Sequence, residues 1–475
     1  MKSRLVFLLG FVLLIAISSM PAHWIPIDGL TVIEQRLIGI FVLATLFWIA
    51  EPIPIFATSV LIIVLELLLL SDKSFILFQN LSGRADFGPV LKYREVMGTF
   101  ASPIILLFMG GFFLAMAATK YRLDLNLARV LLKPFGSDPR RVLLGLMTIT
   151  AIFSMFMSNT ATTAMMLAIL APVLAALPEG DSGRVAFALG IPFAANIGGI
   201  GTPIGTPPNA VALKYLTGDN AIGFGVWMAF GVPYVVVMLL FTWQVLLRFF
   251  PPQTRHIALD IRGRFQKNPR AYLVYGTFIL TILLWLADSL HGMNSYIVAM
   301  IPVAVFTASG VINTQDLKLL SWDVLWLVAG GIALGLGLEE TGLALHVIES
   351  IPFDTMPALV ILVLTTLVAI VMATFMSNTA TANLILPIVA ALGTGLPAIA
   401  GMGGVKLVVL AVALACSLAM SLAISTPPNA MAQATGFIRS EHMRKAGLVV
   451  GFVGLLAVYG LMIILKQAGF FPVAP

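Results

Sequence analysis

The chain has 475 residues, 60% of them hydrophobic and only 10% charged, with a formal net charge of +6. A soluble domain needs far more charge than that, and apolar stretches near the roughly 20 residues that span a bilayer recur along the chain. This excludes a soluble enzyme and a nucleic-acid-binding protein, and the basic excess reads instead as loop charge flanking membrane spans.

In chain order, the sequence predicts an all-α polytopic membrane protein of about 11 transmembrane helices plus two re-entrant hairpins. Residues 1–34 hold a first span near 4–20 and a loop. A signal peptide would share that shape, but Ser18-Ser19-Met20-Pro21 lacks a small-residue cleavage pattern, so an uncleaved span is expected. Spans near 35–51, 54–71 and 97–119 follow, then an apolar stretch, 141–177, with Ser158-Asn159-Thr160 at its middle. An interrupted span at 184–217 and a continuous one at 222–249 complete a unit of residues 35–250. The polar, basic stretch 251–270 is a linker. The unit after it, 271–467, repeats the plan with spans near 271–288, 295–311 and 321–338, a stretch at 357–395, an interrupted span at 404–437 and a last span at 445–467. Segments 124–134 and 342–351 read either as short amphipathic helices at the interface or as ordinary connecting loops.

Three landmarks fix the repeat. Phe156-Met157-Ser158-Asn159-Thr160-Ala161-Thr162 returns as Phe375-Met376-Ser377-Asn378-Thr379-Ala380-Thr381, 219 residues later. Thr206-Pro207-Pro208-Asn209-Ala210 returns as Thr426-Pro427-Pro428-Asn429-Ala430, and Gly110-Gly111 as Gly330-Gly331, each 220 residues later. Polar, helix-breaking backbone at membrane depth is tolerated only where protein or a cavity surrounds it. Stretches 141–177 and 357–395 therefore read as two half-helices meeting at a polar tip, although two full crossings would leave the parity unchanged.

Loop charge orients the chain. Segments 120–141, 248–270 and 439–445 are rich in Lys and Arg, whereas 339–354 holds Glu339, Glu340, Glu349 and Asp354 with no Lys or Arg. Eleven crossings from a cytosolic N-terminus put the first three segments inside and the fourth outside, with the C-terminus extracytosolic. Five crossings per unit is an odd number, so the second copy is inverted.

The motif residues suit ion chemistry. Ser, Thr and Asn cap helix N-termini, and the positive end of each half-helix dipole then faces the tip. Carbonyls ending the preceding half-helix face the same region, and oxygens of these kinds suit a hard cation such as sodium. Proline fits the first helical turn, so Thr206 and Thr426 read as caps of half-helices 208–217 and 428–437. No Lys or Arg lies within about ten residues of either Ser-Asn-Thr tip. An anion held there would rest on dipoles, neutral donors and co-bound cations, which implies cation dependence. Metal-hydrolase motifs, a P-loop and cysteine clusters are missing from the sequence, Cys416 is its single cysteine, and the five histidines fall at span ends or in loops. A membrane enzyme thus lacks its machinery, and closed half-helix tips argue against a channel. Glu66, deep in the third span, is either a proton relay or a carboxyl hydrogen-bonded within a helix interface. Glu51, in Glu51-Pro52-Ile53-Pro54, marks a tight cytosolic turn, and Trp322 and Trp326 read as interface anchors.

The paired Ser-Asn-Thr tips with paired Pro-Pro-Asn loops resemble the divalent anion/sodium symporter family, the INDY-type dicarboxylate transporters. The landmarks cover 97–437, and the topology of the whole chain agrees. The resemblance implies sodium-coupled symport of C4-dicarboxylates such as succinate, malate or fumarate across the inner membrane. It implies a homodimer in the lipid bilayer, with scaffold and transport domains each drawing from both repeats, and elevator-type exchange of the site between membrane sides. Matched by motif, the first sodium site resembles Ser154, Ser158, Asn159 and Gly205, and the second resembles Ser377, Asn378 and Ser425. Substrate contacts come from Asn159, Thr160, Thr206, Asn378, Thr379, Thr426 and Pro427. One departure stands out: four residues before the first motif serine is Ser154, but four before the second is Ala373, where Thr374 is the adjacent substitute. That asymmetry keeps a sodium-independent dicarboxylate exchanger as the alternative, with tricarboxylate or sulfate transport as further possibilities on the same fold.

Overall fold

The computed structural model describes residues 2–27, 29–75, 86–257, 265–350 and 356–471. Part of the expected linker (258–264) and Asp354 lie outside these residues. Among the described residues the protein is helical, apart from one isolated bridge between Ser71 and Leu91. The first unit comprises α1 (Lys2–Ser19), α2 (Val32–Ala50), α3 (Ile55–Leu69), α4 (Pro103–Lys120), α5 (Leu123–Leu132), α6 (Pro139–Ser154), α7 (Asn159–Ala176), α8 (Gly183–Gly199), α9 (Pro207–Leu213) and α10 (Phe224–Phe249). The second comprises α11 (Pro269–Leu286), α12 (Ser295–Ala308), α13 (Trp322–Glu340), α14 (Leu343–Glu349), α15 (Ala358–Phe375), α16 (Asn378–Gly395), α17 (Gly404–Cys416), α18 (Pro427–Ala434) and α19 (Ser440–Gln467). Among the described residues, 7 helical stretches are long and apolar enough to cross a membrane, and shorter apolar helices accompany them.

Sequence chemistry explains where these helices begin. Ser102 caps α4, Asp138 caps α6 and Asn268 caps α11, each accepting from a first-turn N–H, and Pro follows at the first helical position in all three. Thr31 and Glu34 form a reciprocal capping box at α2. Glu51 ends α2 in the left-handed conformation, φ 46°, so the chain reverses within a few residues before α3, as expected of a tight turn. Both short segments, 124–134 and 342–351, are helical over most of their described length, as α5 and α14.

Packing groups many of the helices into two sets, which meet where α13 packs on α16. One holds α2–α4 and α11–α13, with α3 against α13 and α4 against α12. The other holds α6–α10 and α15–α19, where α8 packs on α6 and α7, and α17 on α15 and α16. In repeat register, α3 with α13 and α4 with α12 are one pair and its exchange.

The glycine pairs explain these contacts. A Cβ on Gly110 would lie 2.8 Å from that of Ala299 on α12, and one on Gly330 would lie 2.8 Å from the Ser59 carbonyl oxygen on α3. Small residues let helix backbones approach where lipid supplies no hydrophobic drive. The second glycine of each pair faces the other helix set: Gly111 toward Ile204, Gly331 onto the Asn383 amide. Gly330→Ala is therefore expected to destabilise the fold by about 1–3 kcal/mol, since the clash is with backbone that cannot swing away. Thermal unfolding in detergent measures this, and an unchanged midpoint would refute the close-approach account.

Some expectations need correction. The half-helices after the Thr-Pro-Pro-Asn motifs end at Leu213 and Ala434, earlier than 217 and 437. Thr426 caps α18 by accepting from the Asn429 N–H, but the Thr206 side chain makes no cap bond, and only its carbonyl takes the Asn209 N–H. Glu66 is fully buried, close to Gly337, yet neither carboxylate oxygen has a hydrogen-bond partner among the described residues. The bond required by the interface reading is absent. Trp322 is exposed, while Trp326 stacks on Phe100 with ring centroids 4.2 Å apart.

Candidate functional site

The four broken elements meet at one place. Ser158 caps α7, accepting from the Ala161 N–H at 3.2 Å, and Ser377 caps α16, accepting from the Ala380 N–H at 3.2 Å. Helices α9 and α18 start at Pro207 and Pro427. These four N-termini line a single cavity of about 470 Å³. Its wall contains Ser158, Asn159, Thr160, Gly205, Thr206, Ser377, Asn378, Thr379, Ser425, Thr426 and Pro427. All the substrate-contact residues expected from the motifs are among them.

The two residues chosen to sit behind the tips differ in what they do. Ser154 is fully buried, and its hydroxyl donates to the Ala195 carbonyl at 2.8 Å. The Asn159 amide nitrogen donates to Gly205 O at 3.0 Å, Ser154 Oγ at 2.6 Å and Ala195 O at 3.2 Å. Hydroxyl and carbonyl oxygens thus converge on Asn159 behind the first tip, and hard donors of this kind suit a cation such as sodium. In the second copy, Thr374 turns its hydroxyl to Ile370 O of its own helix, 2.7 Å away. Ser425 Oγ donates to the Thr374 carbonyl at 2.7 Å, and Asn378 Oδ1 is buried with no hydrogen-bond partner among the described residues. The second cluster therefore offers the Asn378 and Ser425 oxygens without a counterpart of the Ser154 hydroxyl.

The motif asparagines outside the tips hold the unwound backbone. Asn209 Nδ2 gathers the carbonyls of Gly199 and Thr202, at 3.2 and 2.8 Å. Asn429 Nδ2 does the same for Met420 and Leu422, at 3.1 and 3.0 Å. Trp227 on α10 adds a bond from its indole nitrogen to Ile200 O. Each unwound segment thus satisfies its freed carbonyls internally, as apolar surroundings require.

Several residues of the site escaped sequence reasoning. Asn196 on α8 is buried and donates across the repeats to Thr426 Oγ1 and Asn429 Oδ1, both at 3.2 Å. A lone amide inside an apolar run was the available signal. Its repeat counterpart is Cys416, which explains why comparing the copies did not reveal it. The opposite wall is built by Pro54, Ile55 and Phe56 before and in α3, Phe108 and Phe112 on α4, and Asp323, Val324 and Leu327 on α13. Apart from Asp323, these side chains are apolar and give no pattern distinct from lipid-facing ones. A neighbouring cavity of about 360 Å³ shares Phe112 and Ser158 and holds Lys120 and Asp316. Burial pushes the Asp316 carboxyl up, but Lys120 Nζ, 2.5 Å away, outweighs it and holds the group below the usual carboxylate range.

With this geometry established, likeness to known proteins becomes informative. Residues 45–416 match the CitMHS family model, described as citrate transporter. The sodium-dependent dicarboxylate transporter SdcS of Staphylococcus saprophyticus is 32% identical over 467 residues, covering 88% of this chain and 85% of that protein. SdcS of a Staphylococcus aureus strain is 33% identical over 475 residues, covering 89% and 86%. The inorganic phosphate transporter PHO87 of Saccharomyces cerevisiae is 29% identical over 369 residues, covering 76% of this chain and 39% of that protein. Among solved structures, the YdaH transporter of Alcanivorax borkumensis shares the fold, with a TM-score of 0.53 at 14% identity, covering 88% of this chain and 99% of that one.

Proposed function

The chain belongs to the citrate transporter family, as a secondary anion transporter and not an enzyme, and from that premise we propose that it imports C4-dicarboxylates with sodium. The observation that carries this is the single cavity lined by both Ser-Asn-Thr tips, with the Ser154 hydroxyl and the Ala195 and Gly205 carbonyls gathered at Asn159 behind one of them. A dicarboxylate has two anionic ends, and the cavity presents the serine-capped N-termini of α7 and α16 with neutral donors at each. Without a basic residue on its wall, the site needs cations to hold a dianion in apolar surroundings. The names of the staphylococcal relatives, sodium-dependent dicarboxylate transporters, agree with this coupling.

Movement follows from the two helix sets. The set α6–α10 with α15–α19 carries every tip and acts as the transport domain, while α2–α4 with α11–α13 acts as the scaffold. The repeats are inverted in the membrane, with eleven crossings and two re-entrant hairpins, α6–α7 and α15–α16. The N-terminus is cytosolic and the C-terminus extracytosolic. The cavity reaches the α2–α3 turn and the start of α13, which loop charge places inside, so this is the cytosol-facing state. Exchange proceeds by an elevator-type slide of the transport domain, and the protein functions as a homodimer.

A sodium-independent exchanger is the second reading, favoured by the Thr374 hydroxyl being committed to Ile370 O. For substrate class, counterflow in proteoliposomes with succinate, citrate, phosphate and sulfate is decisive. Succinate is expected to exchange and the others to compete weakly. Carriage of phosphate or citrate with succinate ignored would overturn the dicarboxylate assignment.

A further inference from the structure

The central cavity carries one formal charge among its lining residues, and that charge has the same sign as the proposed substrate. Asp323 is that residue, exposed in the first turn of α13, and it makes no hydrogen bond or ion pair among the described residues. An acid in a first turn is ordinarily explained by the helix dipole. Two observations give it more to do. It faces the cavity that holds the tips, and it sits on a helix of the opposite set: seven residues further on, Gly330 of the same helix is packed against Ser59 of α3. No basic side chain lines this cavity with it. Lys120, which lines the adjoining cavity, is bound to Asp316 at 2.5 Å and to the Val311 carbonyl at 2.9 Å. The tips themselves contribute neutral groups.

We propose that Asp323 is a specificity-determining residue that weakens binding of a divalent anion in the cytosol-facing state and so favours release on that side. The inference rests on reading the protein as a divalent-anion carrier. A carboxylate on the cavity wall repels both charges of a dianion, with water from the open mouth reducing but not removing the effect. The scaffold helix stays in place when the transport domain slides, so the tips leave Asp323 behind. Beyond about 8 Å, physiological salt screens what remains. The penalty therefore acts on one side of the membrane, and a fixed charge on the scaffold makes the two faces of a pseudo-symmetric carrier unequal.

The test compares wild type, Asp323→Asn and Asp323→Glu in right-side-out and inside-out proteoliposomes. Half-saturating succinate is measured from each face at low and high ionic strength. Asp323→Asn is expected to lower it by roughly three- to tenfold at the face of the α13 N-terminus and to leave the other face unchanged. Asp323→Glu retains the wild-type asymmetry, and high salt narrows the difference between Asn and wild type. A purely structural role at the helix start would move both faces together. An equal shift at both faces, or no shift at either in an active carrier, overturns the proposal alone. If wild type carries none of succinate, citrate, phosphate and sulfate, the carrier reading fails and this inference falls with it.

Discussion

Asn159→Ala is expected to abolish uptake, and Asn378→Ala to do the same. Asn159 gathers the Ser154 hydroxyl oxygen at 2.6 Å and the Gly205 and Ala195 carbonyls while it lines the cavity, so one side chain serves the oxygen cluster and the substrate wall together. Removing a contact to a charged partner costs about 1.5–3 kcal/mol, roughly a 10- to 150-fold loss. Losing a cation ligand and an anion donor at once compounds that. Asn378 loses less on the cation side, where its Oδ1 stands without the serine seen in the first copy, but it heads α16 at the second tip. Initial uptake rate measures both. Sodium-induced thermal stabilisation separates the roles: Asn159→Asp retains the oxygen and the stabilisation but repels the anion. Near-normal uptake by either alanine variant would contradict the site.

Gly205→Ala is the second large effect. A Cβ there would lie 2.9 Å from both the Gly199 Cα and the Ser154 carbonyl oxygen, backbone on two sides of the first oxygen cluster. Neither can move without opening the α6–α7 turn or the unwound segment before α9. Sodium-dependent uptake is expected to fall by at least about a hundredfold, with overpacking of about 1–3 kcal/mol adding to the lost coordination. Ser425 is the control from the other repeat. It already carries a Cβ, and its hydroxyl donates to Thr374 O. Ser425→Ala removes one neutral hydrogen bond, about 1 kcal/mol, and is expected to reduce apparent affinity by less than tenfold. Equal losses in the two variants would show that the clusters are interchangeable, against the asymmetry described here.

What was legible in the sequence follows from contrast. Ser158-Asn159-Thr160 and Ser377-Asn378-Thr379 interrupt apolar runs, and the copies share one register, so the broken helices and their convergence were readable before any coordinates. The helix starts follow from the same residues, because caps and prolines act locally, whereas the ends at Leu213 and Ala434 came earlier than the sequence indicated. Three features were hidden. Asn196 bridges to Thr426 and Asn429 but has Cys416 as its counterpart, so repeat comparison passed over it. Phe56, Phe108 and Phe112 wall the cavity with side chains that lipid-facing positions also use. The side-chain cap assigned to Thr206 is absent although its motif matches that of Thr426, because motif identity alone does not fix which bond a side chain makes. Glu66 shows a different limit: sequence located it within a span but could not say that both oxygens would be unpartnered.

The central claim is that two inverted half-sites form one place for an anion and its cations. Radiolabelled succinate uptake into proteoliposomes, with and without an inward sodium gradient, tests it most directly. The account predicts accumulation that the gradient drives and that collapses without sodium. Uptake indifferent to sodium but dependent on internal dicarboxylate would contradict it and establish exchange.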